Sequence, residues 1–464
     1  MNEPAGRRLL ATTVLGSGMA FLDGTIANVA LPTIGREFHA QLEGLQWVVN
    51  GYTLTLASLI LVGGSLGDRF GRKKIYGFGV AAFAVTSVLA AVSPSIGVLV
   101  TARMLQGVAA ALLTPGSLAR LQSSFVKADR MKAIGAWTGM LGIATAGGPV
   151  IGGWLVGIDW RLAFWINLPL GALVLWLLRS APESKDLQAS TRIDLPALVL
   201  APVALAGLTW GLTAWPDRGA GLLTVGSLVA GVIAAIAFVV VERHAEHPMV
   251  APALFANRVF TVVNLVTLAV YAALGGLLFF LAVYLQISAG WSPLAAGAST
   301  APISLIMLLL ASGFGAVATR FGARSPMLVG TALLAIGLVW LAQVPDKPAY
   351  LTQLLPAIVV VGLGLSMVVA PLTGTVLAAA PENEAGLASG INNAVSRTAG
   401  LLAIAALPLM VGLSGRDYRV GAEVARAFRS SMWMCAALVA IGFLLTLALG
   451  GRQTEEATCG SAKN

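Results

Sequence analysis

The chain has 464 residues, of which 57% are apolar and only 11% are charged. A soluble globular domain carries about 25% charged residues, so this composition excludes that class and indicates a protein whose solvent is lipid. The net charge of +9 lies mainly in short loops between apolar runs, which favours membrane topology over nucleic-acid binding. Two cysteines and three scattered histidines provide neither a disulfide framework nor a typical metal site.

Runs of roughly 18–25 residues with few charges predict transmembrane helices. Fourteen such runs occur, at 9–31, 46–66, 75–94, 96–119, 133–156, 161–179, 194–214, 220–241, 260–287, 293–318, 325–343, 351–379, 387–412 and 430–450. An even number of spans puts both termini on one side of the membrane. The segments on that side carry nineteen Lys and Arg residues against eight on the other side, which predicts that both termini are cytoplasmic.

One carboxylate interrupts the first apolar run, where Asp23 stands in the stretch MAFLDGTIANVALP. Apolar surroundings favour its neutral form and a nearby cation favours its ionised form, so a conformational change can switch its proton occupancy. Arg103, in the fourth span, is the natural cation to pair with it. The alternatives are that Asp23 is a permanently paired structural residue and that Arg103 only reaches for the membrane interface.

An internal repeat relates the two ends of the chain at an offset of 251 residues. The loop GSLGDRFGRKK begins at Gly64 and GAVATRFGARS begins at Gly315, while GAWTG, from Gly135, aligns with GLASG, from Gly386. The second copy has lost its acid, because Thr319 stands where the first has Asp68. A parallel repeat of six helices is typical of one large class of transporters, and it leaves spans 7 and 8 as an inserted pair.

Four motifs follow in order along the chain. They are LDGTIANVALP at 22–32, GSLGDRFGRKK at 64–74, LVTARMLQGVAAA at 99–111 and GMLGIATAGGPVIGG at 139–153. With these motifs the chain resembles the fourteen-span drug:proton antiporter family of the major facilitator superfamily, over essentially its whole length. The resemblance implies an all-α polytopic membrane protein with two six-helix bundles related by a pseudo-twofold axis and two inserted helices. The predicted divisions are 1–180 and 259–450 for the bundles, 181–258 for the linker and inserted helices, and 451–464 for a cytoplasmic tail.

The resemblance also implies roles for particular residues. Asp23 and Arg103 would couple transport to protons. The loop between helices 2 and 3 would be a conformational latch, for which simple control of topology by positive charge is the alternative. The latch residues are Gly64, Asp68, Arg69, Gly71, Arg72 and Lys73. An antiporter hinge in helix 5 would use Gly142, Gly147, Gly148, Pro149, Gly152 and Gly153, although a generic packing helix could use the same glycines.

Polar residues inside the spans are candidates for the lining of a substrate cavity. They are Asn28, Trp47, Asn50, Tyr52, Asn392, Asn393 and Arg397. For Trp47 an interfacial anchor is the alternative. Arg397 has three open interpretations: it binds an anionic group, tunes the proton site or satisfies helix carbonyls. The Gln that often follows this Arg in the family is Thr398 here.

Together these features predict a secondary active transporter that exports amphipathic small molecules in exchange for protons and so gives drug or antibiotic resistance. The alternatives are a dedicated exporter of one endogenous metabolite or self-made antibiotic and a proton-coupled uptake symporter. No nucleophile–base set or G-x-x-x-x-G-K-[ST] loop occurs, so neither an enzyme nor ATP-driven transport is expected. No carboxylate lies in the middle of spans 9 to 14, which favours neutral or singly charged substrates. We expect no cofactor, no metal, no nucleic-acid or nucleotide partner, and a monomer in the cytoplasmic membrane of a bacterium.

Overall fold

The computed structural model describes residues 4–124, 133, 137, 140, 147–179, 183, 195–245, 248–381, 384–415 and 417–449. The described residues form helices and connecting turns, with no β-strand among them. The α-helices are α1 Pro4–Glu37, α2 Leu42–Phe70, α3 Arg72–Ala91, α4 Ile96–Ser124, α5 Gly147–Ile158, α6 Leu162–Trp165, α7 Asn167–Leu178, α8 Leu195–Arg218, α9 Leu222–His244, α10 Arg258–Val283, α11 Pro293–Phe321, α12 Arg324–Leu341, α13 Leu355–Ala378, α14 Ala385–Met410 and α15 Gly421–Leu447. Short 3-10 or π turns at Pro252–Ala256, Tyr284–Ser288, Tyr350–Leu354 and Asp417–Arg419 flank some of them.

The all-α prediction is confirmed. Within the described residues, 12 helices are long and apolar enough to cross a membrane, so the chain is a multi-pass membrane protein. Two shorter apolar helices, Gly147–Ile158 and Leu162–Leu178, fall within the fifth and sixth predicted spans. The first part of the fifth span lies mostly outside the described residues.

Helix α15 begins at Gly421, nine residues before the predicted start of the last span at 430. The charged residues at its start had indicated a loop. In the structure they lie on the helix and are paired: Arg426 with Glu423, and Arg429 with Asp346 at 2.6 Å. Charged turns of this kind are tolerated where a helix projects beyond the apolar part of the bilayer.

The chain forms two compact units, one of Met1–Leu208, Ser227–Met249 and Ser292–Ala298 and the other of Thr209–Gly226, Val250–Trp291 and Ser299–Asn464. The domain boundaries derived from the sequence stay a prediction.

Small residues set the helix spacing within each unit. In the first, a Cβ added to Gly63 of α2 would lie 2.0 Å from the carbonyl oxygen of Ala111 in α4. In the second, a Cβ on Gly364 of α13 would lie 2.7 Å from the carbonyl oxygen of Gly330 in α12. Lipid supplies no hydrophobic drive between helices, so close packing of this kind is what holds these pairs together.

The internal repeat has a matching backbone feature in each unit. Helix α2 ends at Phe70 and is followed by Gly71, whose φ is +109°, whereas α11 ends at Phe321 and is followed by Gly322, whose φ is +82°. A positive φ is strained for residues with a Cβ, so both turns require glycine. The other repeat pair cannot be compared, because Gly135 lies outside the described residues.

The inserted helices α8 and α9 pack against each other through glycine. A Cβ on Gly207 would lie 2.9 Å from the Cα of Gly231 and 2.7 Å from the carbonyl oxygen of Ser227. At the end of α8 the carboxylate of Asp217 accepts a hydrogen bond of 2.8 Å from the backbone N–H of Gly415. This contact joins α8 to the segment before α15.

We predict that Gly107→Ala destabilises the protein, although Gly→Ala inside a helix usually stabilises by about 0.5–1 kcal/mol. The new Cβ would lie 2.3 Å from the carbonyl oxygen of Tyr52, so α2 and α4 must move apart, at a cost of about 1–3 kcal/mol. Gly97→Ala on the same helix is the control, because nothing lies within 4 Å of its Cβ position. Thermal unfolding in detergent measures both variants, and equal midpoints would contradict the packing argument.

Candidate functional site

A buried ion pair lies in the first unit. Asp23 of α1 and Arg103 of α4 form a direct salt bridge from Nη1 to Oδ2, and each side chain is only 1% exposed. Charges so removed from water are stable only when they are paired and their remaining hydrogen-bonding groups are satisfied. The structure therefore brings together the two residues that the sequence singled out for proton coupling.

The guanidinium of Arg103 is held on several sides. Its Nε donates to the carbonyl oxygen of Val48 at 3.0 Å, and its Nη1 donates to Oε1 of Gln106 at 2.6 Å. The ring of Tyr52 lies 4.4 Å from the guanidinium carbon, and the ring of Phe164 lies 5.7 Å from it. Aromatic faces attract a cation and exclude water, so these two rings help to fix the orientation of the planar guanidinium group of Arg103.

Two side-chain amides complete the shell of Asp23. Both donate to its Oδ1, from Nε2 of Gln106 at 2.9 Å and from Nδ2 of Asn167 at 3.0 Å. The same Nε2 of Gln106 also donates to Oγ of Ser87 at 2.8 Å. The Asp23 network, defined as Asp23, Arg103, Gln106, Asn167 and Ser87, thus joins α1, α3, α4 and α7.

The chemistry available to this arrangement is the gain and loss of one proton. In the arrangement shown, the carboxylate of Asp23 accepts hydrogen bonds from one cation and from two neutral amides. A proton on Asp23 would leave the Arg103 guanidinium buried without its counter-ion. An unpaired buried cation is costly in a dry environment, and the residues around this one lie on several helices.

Four members of this site were missed from the sequence: Gln106, Ser87, Asn167 and Phe164. Gln106 lies three residues after Arg103, on the same helix face, and that spacing was a usable signal. Asn167 is a lone amide among apolar residues of the sixth span, which was the second signal. Nothing in the pattern distinguished Ser87 or Phe164 from ordinary packing residues.

The candidate cavity residues of the first unit occupy different environments. Tyr52 is buried against Arg103 and donates its hydroxyl to the carbonyl oxygen of Ala20 at 3.3 Å. Asn50 is fully buried, and its amide has no hydrogen-bond partner among the described residues. Asn28 is half-buried and donates to the Gly24 carbonyl oxygen at 3.1 Å, while Trp47 is half-buried.

The second unit holds the other candidates. Asn392 of α14 donates through Nδ2 to Oδ1 of Asn264 at 3.1 Å and to Oγ1 of Thr267 at 2.8 Å, both on α10. Asn393 and Arg397 lie on the same helix and are half-buried, and Arg397 interacts electrostatically with Tyr271 of α10. This group contains neutral amides, a hydroxyl and one cation, without a carboxylate.

The turn between α2 and α3 carries the predicted latch residues. Asp68 accepts a hydrogen bond of 2.7 Å from Nε of Arg72, an i,i+4 ion pair that is partly exposed. Arg69 lies over the ring of Phe70 at 4.9 Å, and Gly71 supplies the positive φ between the helices. Gly64 lies earlier on α2, and a Cβ added to it would lie 3.5 Å from the side chain of Pro115.

An unpredicted residue, Glu183, contacts this turn from the segment after α7. Its Oε1 accepts the backbone N–H of Lys73 at 2.8 Å, in the first turn of α3. The side chain of Lys73 in turn donates to the carbonyl oxygen of Arg179 at 3.1 Å. A carboxylate at a helix N-terminus satisfies an orphan N–H and complements the helix dipole, so Glu183 acts as a cap supplied from 110 residues away.

The glycine motif of α5 is a close-packing surface. A Cβ on Gly148 would lie 2.2 Å from Oγ1 of Thr25, and one on Gly152 would lie 3.1 Å from the Cα of Ile26, both in α1. On another side a Cβ on Gly153 would lie 2.6 Å from the carbonyl oxygen of Pro293. The Pro149 carbonyl oxygen would similarly lie 2.0 Å from a Cβ on Gly297. Gly147 has more space, and Gly142 lies outside the described residues.

A second group of charged residues lies at the C-terminal end of α1, around Glu37. Glu37 accepts hydrogen bonds from Nη2 of Arg161 at 2.8 Å and from the indole N–H of Trp160 at 2.6 Å. The hydrogen bond to Glu37 raises the pKa of Arg161 above its ordinary value. Among the described residues there is no group of three or more His, Cys, Asp or Glu that could hold a metal ion.

Comparison with known proteins identifies the family that this architecture represents. The family model described as Major Facilitator Superfamily matches residues 13–404. The chain belongs to the Major Facilitator Superfamily. Membership makes it a secondary transporter rather than an enzyme, in agreement with the prediction from its motifs.

Three curated relatives of this chain are named as resistance or export proteins. The tetracenomycin C resistance and export protein of Streptomyces glaucescens is 37% identical over 87% of this chain and 75% of its own length. The multidrug resistance protein Stp of Mycobacterium tuberculosis is 35% identical over 83% of this chain and 72% of its own length. The methylenomycin A resistance protein of Bacillus subtilis is 32% identical over 95% of this chain and 94% of its own length.

Solved structures agree on the Major Facilitator Superfamily fold. A bacterial homolog to the human lysosomal transporter Spinster, solved in an inward-facing and unoccupied conformation, has a TM-score of 0.71 at 16% identity and covers 98% of this chain and 99% of its own. At this identity the likeness concerns the fold alone.

We predict that Arg103→Lys lowers stability by about 1.5–3 kcal/mol, because a single ammonium cannot serve Asp23, Gln106 and the Val48 carbonyl together. Arg36→Lys is the matched control, since Arg36 is exposed and its one side-chain hydrogen bond within the described part of the chain is to Oγ1 of Thr33, at 3.1 Å. Its effect should stay within about 0.5 kcal/mol. Thermal unfolding of both variants in the same detergent checks this, and equally small effects would contradict the network geometry.

We predict that Glu183→Ala destabilises the first turn of α3 by about 0.5–2 kcal/mol, the range for loss of an N-terminal cap. Hydrogen–deuterium exchange of peptides covering 71–78 should become faster. Glu183→Gln keeps an acceptor oxygen and loses the charge, so the exchange rate of these peptides should fall between those of the wild type and Glu183→Ala. Unchanged exchange in Glu183→Ala would mean that the contact does not hold the turn.

Proposed function

We propose that this transporter exports amphipathic small molecules, drugs or antibiotics, in exchange for protons across the cytoplasmic membrane of a bacterium. The observation that carries the proposal is the buried ion pair of Asp23 and Arg103 on two helices of the first unit. Intramembrane ionisable pairs are expensive to build, and they mark ion and proton pathways in transporters.

Asp23 is the proton carrier in this mechanism. Ionised, it neutralises Arg103 and fixes α1 against α4; protonated, it releases that attraction and favours a second arrangement of the helices. Proton binding from outside and release inside would then accompany alternating access of the substrate site. With about 2.3 kcal/mol for one charge crossing 100 mV, one proton supports about a 50-fold gradient of a neutral compound.

The substrate class follows from relatives and from charge. The relatives are named for tetracenomycin C, methylenomycin A, puromycin and multidrug resistance, which supports drugs and antibiotics as cargo. In the second half no Asp or Glu occurs between Arg258 and Pro345 or between Val424 and Thr454. Together with the amides of Asn264 and Asn392, this favours neutral or singly charged compounds over dications.

The remaining predicted residues have proposed roles in the same cycle. Asp68, Arg72 and the turn around Gly71 would hold one conformation as a latch on the cytoplasmic side, where the positive charge bias also puts both termini. The close contacts of Gly148, Gly152 and Gly153 would let α5 shift against its neighbours as a hinge. We propose that the protein works as a monomer.

Asp23→Asn should abolish drug-dependent proton movement. The assay uses everted membrane vesicles with a preformed pH gradient, to which puromycin, tetracenomycin C or methylenomycin A is added at matched expression. Asn keeps the shape of Asp but does not take up or release a proton. We therefore expect the drug to collapse the pH gradient in vesicles with the wild-type protein and to leave it in place in vesicles with the variant. Asp159→Asn is the control, because that carboxylate is exposed and, among the described residues, its side-chain contacts are with the nearby Arg161.

Two results would overturn the proposal. If wild type and Asp23→Asn dissipate the gradient equally, the proton route lies elsewhere. If the vesicles accumulate the compounds only when the proton gradient is reversed, the protein is an uptake symporter.

A further inference from the structure

Asn167 differs from the other partners of Asp23 in how its polar atoms are used. It is the first residue of α7 and is fully buried. Its Nδ2 donates to Oδ1 of Asp23 at 3.0 Å, whereas its own Oδ1 is buried and has no hydrogen-bond partner among the described residues. A buried amide oxygen without a donor is costly, so this one calls for an explanation.

The other partners cannot accept a hydrogen bond from Asp23. Arg103 has donors only. Gln106 is fixed at both ends, because its Oε1 accepts from Arg103 while its Nε2 donates to both Asp23 and Ser87. Turning its amide over would break these three contacts. Turning the Asn167 amide over breaks one.

A carboxylic acid needs something that a carboxylate does not. The ionised group only accepts hydrogen bonds, but the protonated group has an O–H that must donate. Within the Asp23 network the free acceptor is Oδ1 of Asn167. The ionisable groups around Asp23 are Arg103 from α4 and, against its guanidinium, Tyr52 from α2; α3 contributes Ser87, and α7 contributes Asn167, neither of which titrates.

We infer that Asn167 is the positioning residue that serves both protonation states of Asp23, donating to the carboxylate and accepting from the acid. When a hydronium ion from the outer aqueous phase gives its proton to Asp23 Oδ1, one O–H bond of the hydronium breaks, an O–H bond to Oδ1 forms and a water molecule leaves. The Asn167 amide then rotates by half a turn, and its Oδ1 accepts the new O–H. The inference rests on the proposed function, because it needs Asp23 to take up a proton.

Infrared difference spectroscopy between high and low pH tests this on the full chain in liposomes. Wild type should show a carboxylic-acid C=O band that is absent from Asp23→Asn. In Asn167→Leu, which has neither donor nor acceptor at a similar volume, the band should move to higher wavenumber, because the acid has lost its hydrogen-bond acceptor. Leu168→Ala, a change of the exposed neighbour on α7, should leave the band where it is.

A second variant keeps the test decisive if Asn167→Leu does not fold. Asn167→Asp puts a second carboxylate beside Asp23, and two carboxylates at this distance share a proton. The pH profile of drug-dependent proton release should therefore move upwards by about one pH unit, a tenfold change in proton affinity. Because this shift requires contact between the two carboxylates, an unmoved profile would mean that residue 167 does not face the group that titrates.

The outcomes separate the two proposals. No Asp23 band in wild type, together with unaltered coupling in Asp23→Asn, overturns the proposed function and this inference with it. An Asp23 band that stays at the same wavenumber in a folded Asn167→Leu overturns the role of Asn167 alone, as does an unmoved pH profile in Asn167→Asp.

Discussion

The energetic cost of keeping Asp23 and Arg103 out of water organises the first unit. Neither charge has solvent to screen it, so each must obtain its partners from the protein. Arg103 takes a carboxylate, an amide oxygen, a backbone carbonyl and two aromatic faces, and Asp23 takes a guanidinium and two amides. Those partners come from α1, α2, α4, α6 and α7, and Gln106 adds α3 through its hydrogen bond to Ser87, so one ion pair fixes the mutual positions of most helices in the unit.

Contacts at the two ends of this unit act on the same helices. Glu183 caps α3 beside the α2–α3 turn, and Arg161 and Trp160 hold Glu37 at the end of α1. Each of these contacts uses a carboxylate that water also reaches, so each is weaker than the buried pair. The glycine face of α5 lies against α1 between these ends, where backbone approach rather than charge sets the geometry. The strong contact of this unit is therefore the buried Asp23–Arg103 pair, and the weaker contacts lie at the ends of the helices. Such a distribution suits the two helix arrangements of the proposed transport cycle.

The two units divide the polar chemistry unequally. Both repeat copies keep the glycine at their turn, Gly71 and Gly322, because backbone conformation requires it. The acid of the first copy, Asp68, is Thr319 in the second, whose hydroxyl donates to the carbonyl oxygen of Ala316 in its own helix. The second unit joins α10 to α14 through the neutral groups of Asn264, Thr267 and Asn392, whereas the first joins α1 to α4 through a buried charge pair.

The sequence by itself determined the fold class, nearly all the spans, and Asp23 with Arg103, because apolar length and a charge in lipid are properties of the local chain. It gave no sign that α15 extends back to Gly421, because the first turns of that helix are charged; in the structure two of these charges are paired, Arg426 with Glu423 and Arg429 with Asp346. It did not find Asn167, Gln106 as a ligand of Asp23, or Glu183 as the cap of α3. Hydrogen bonds between residues 83, 144 and 110 positions apart leave no periodic trace in a sequence. Only the tertiary structure decided which neutral amides meet the carboxylate, because that depends on how the helices are rotated about their axes as they pack.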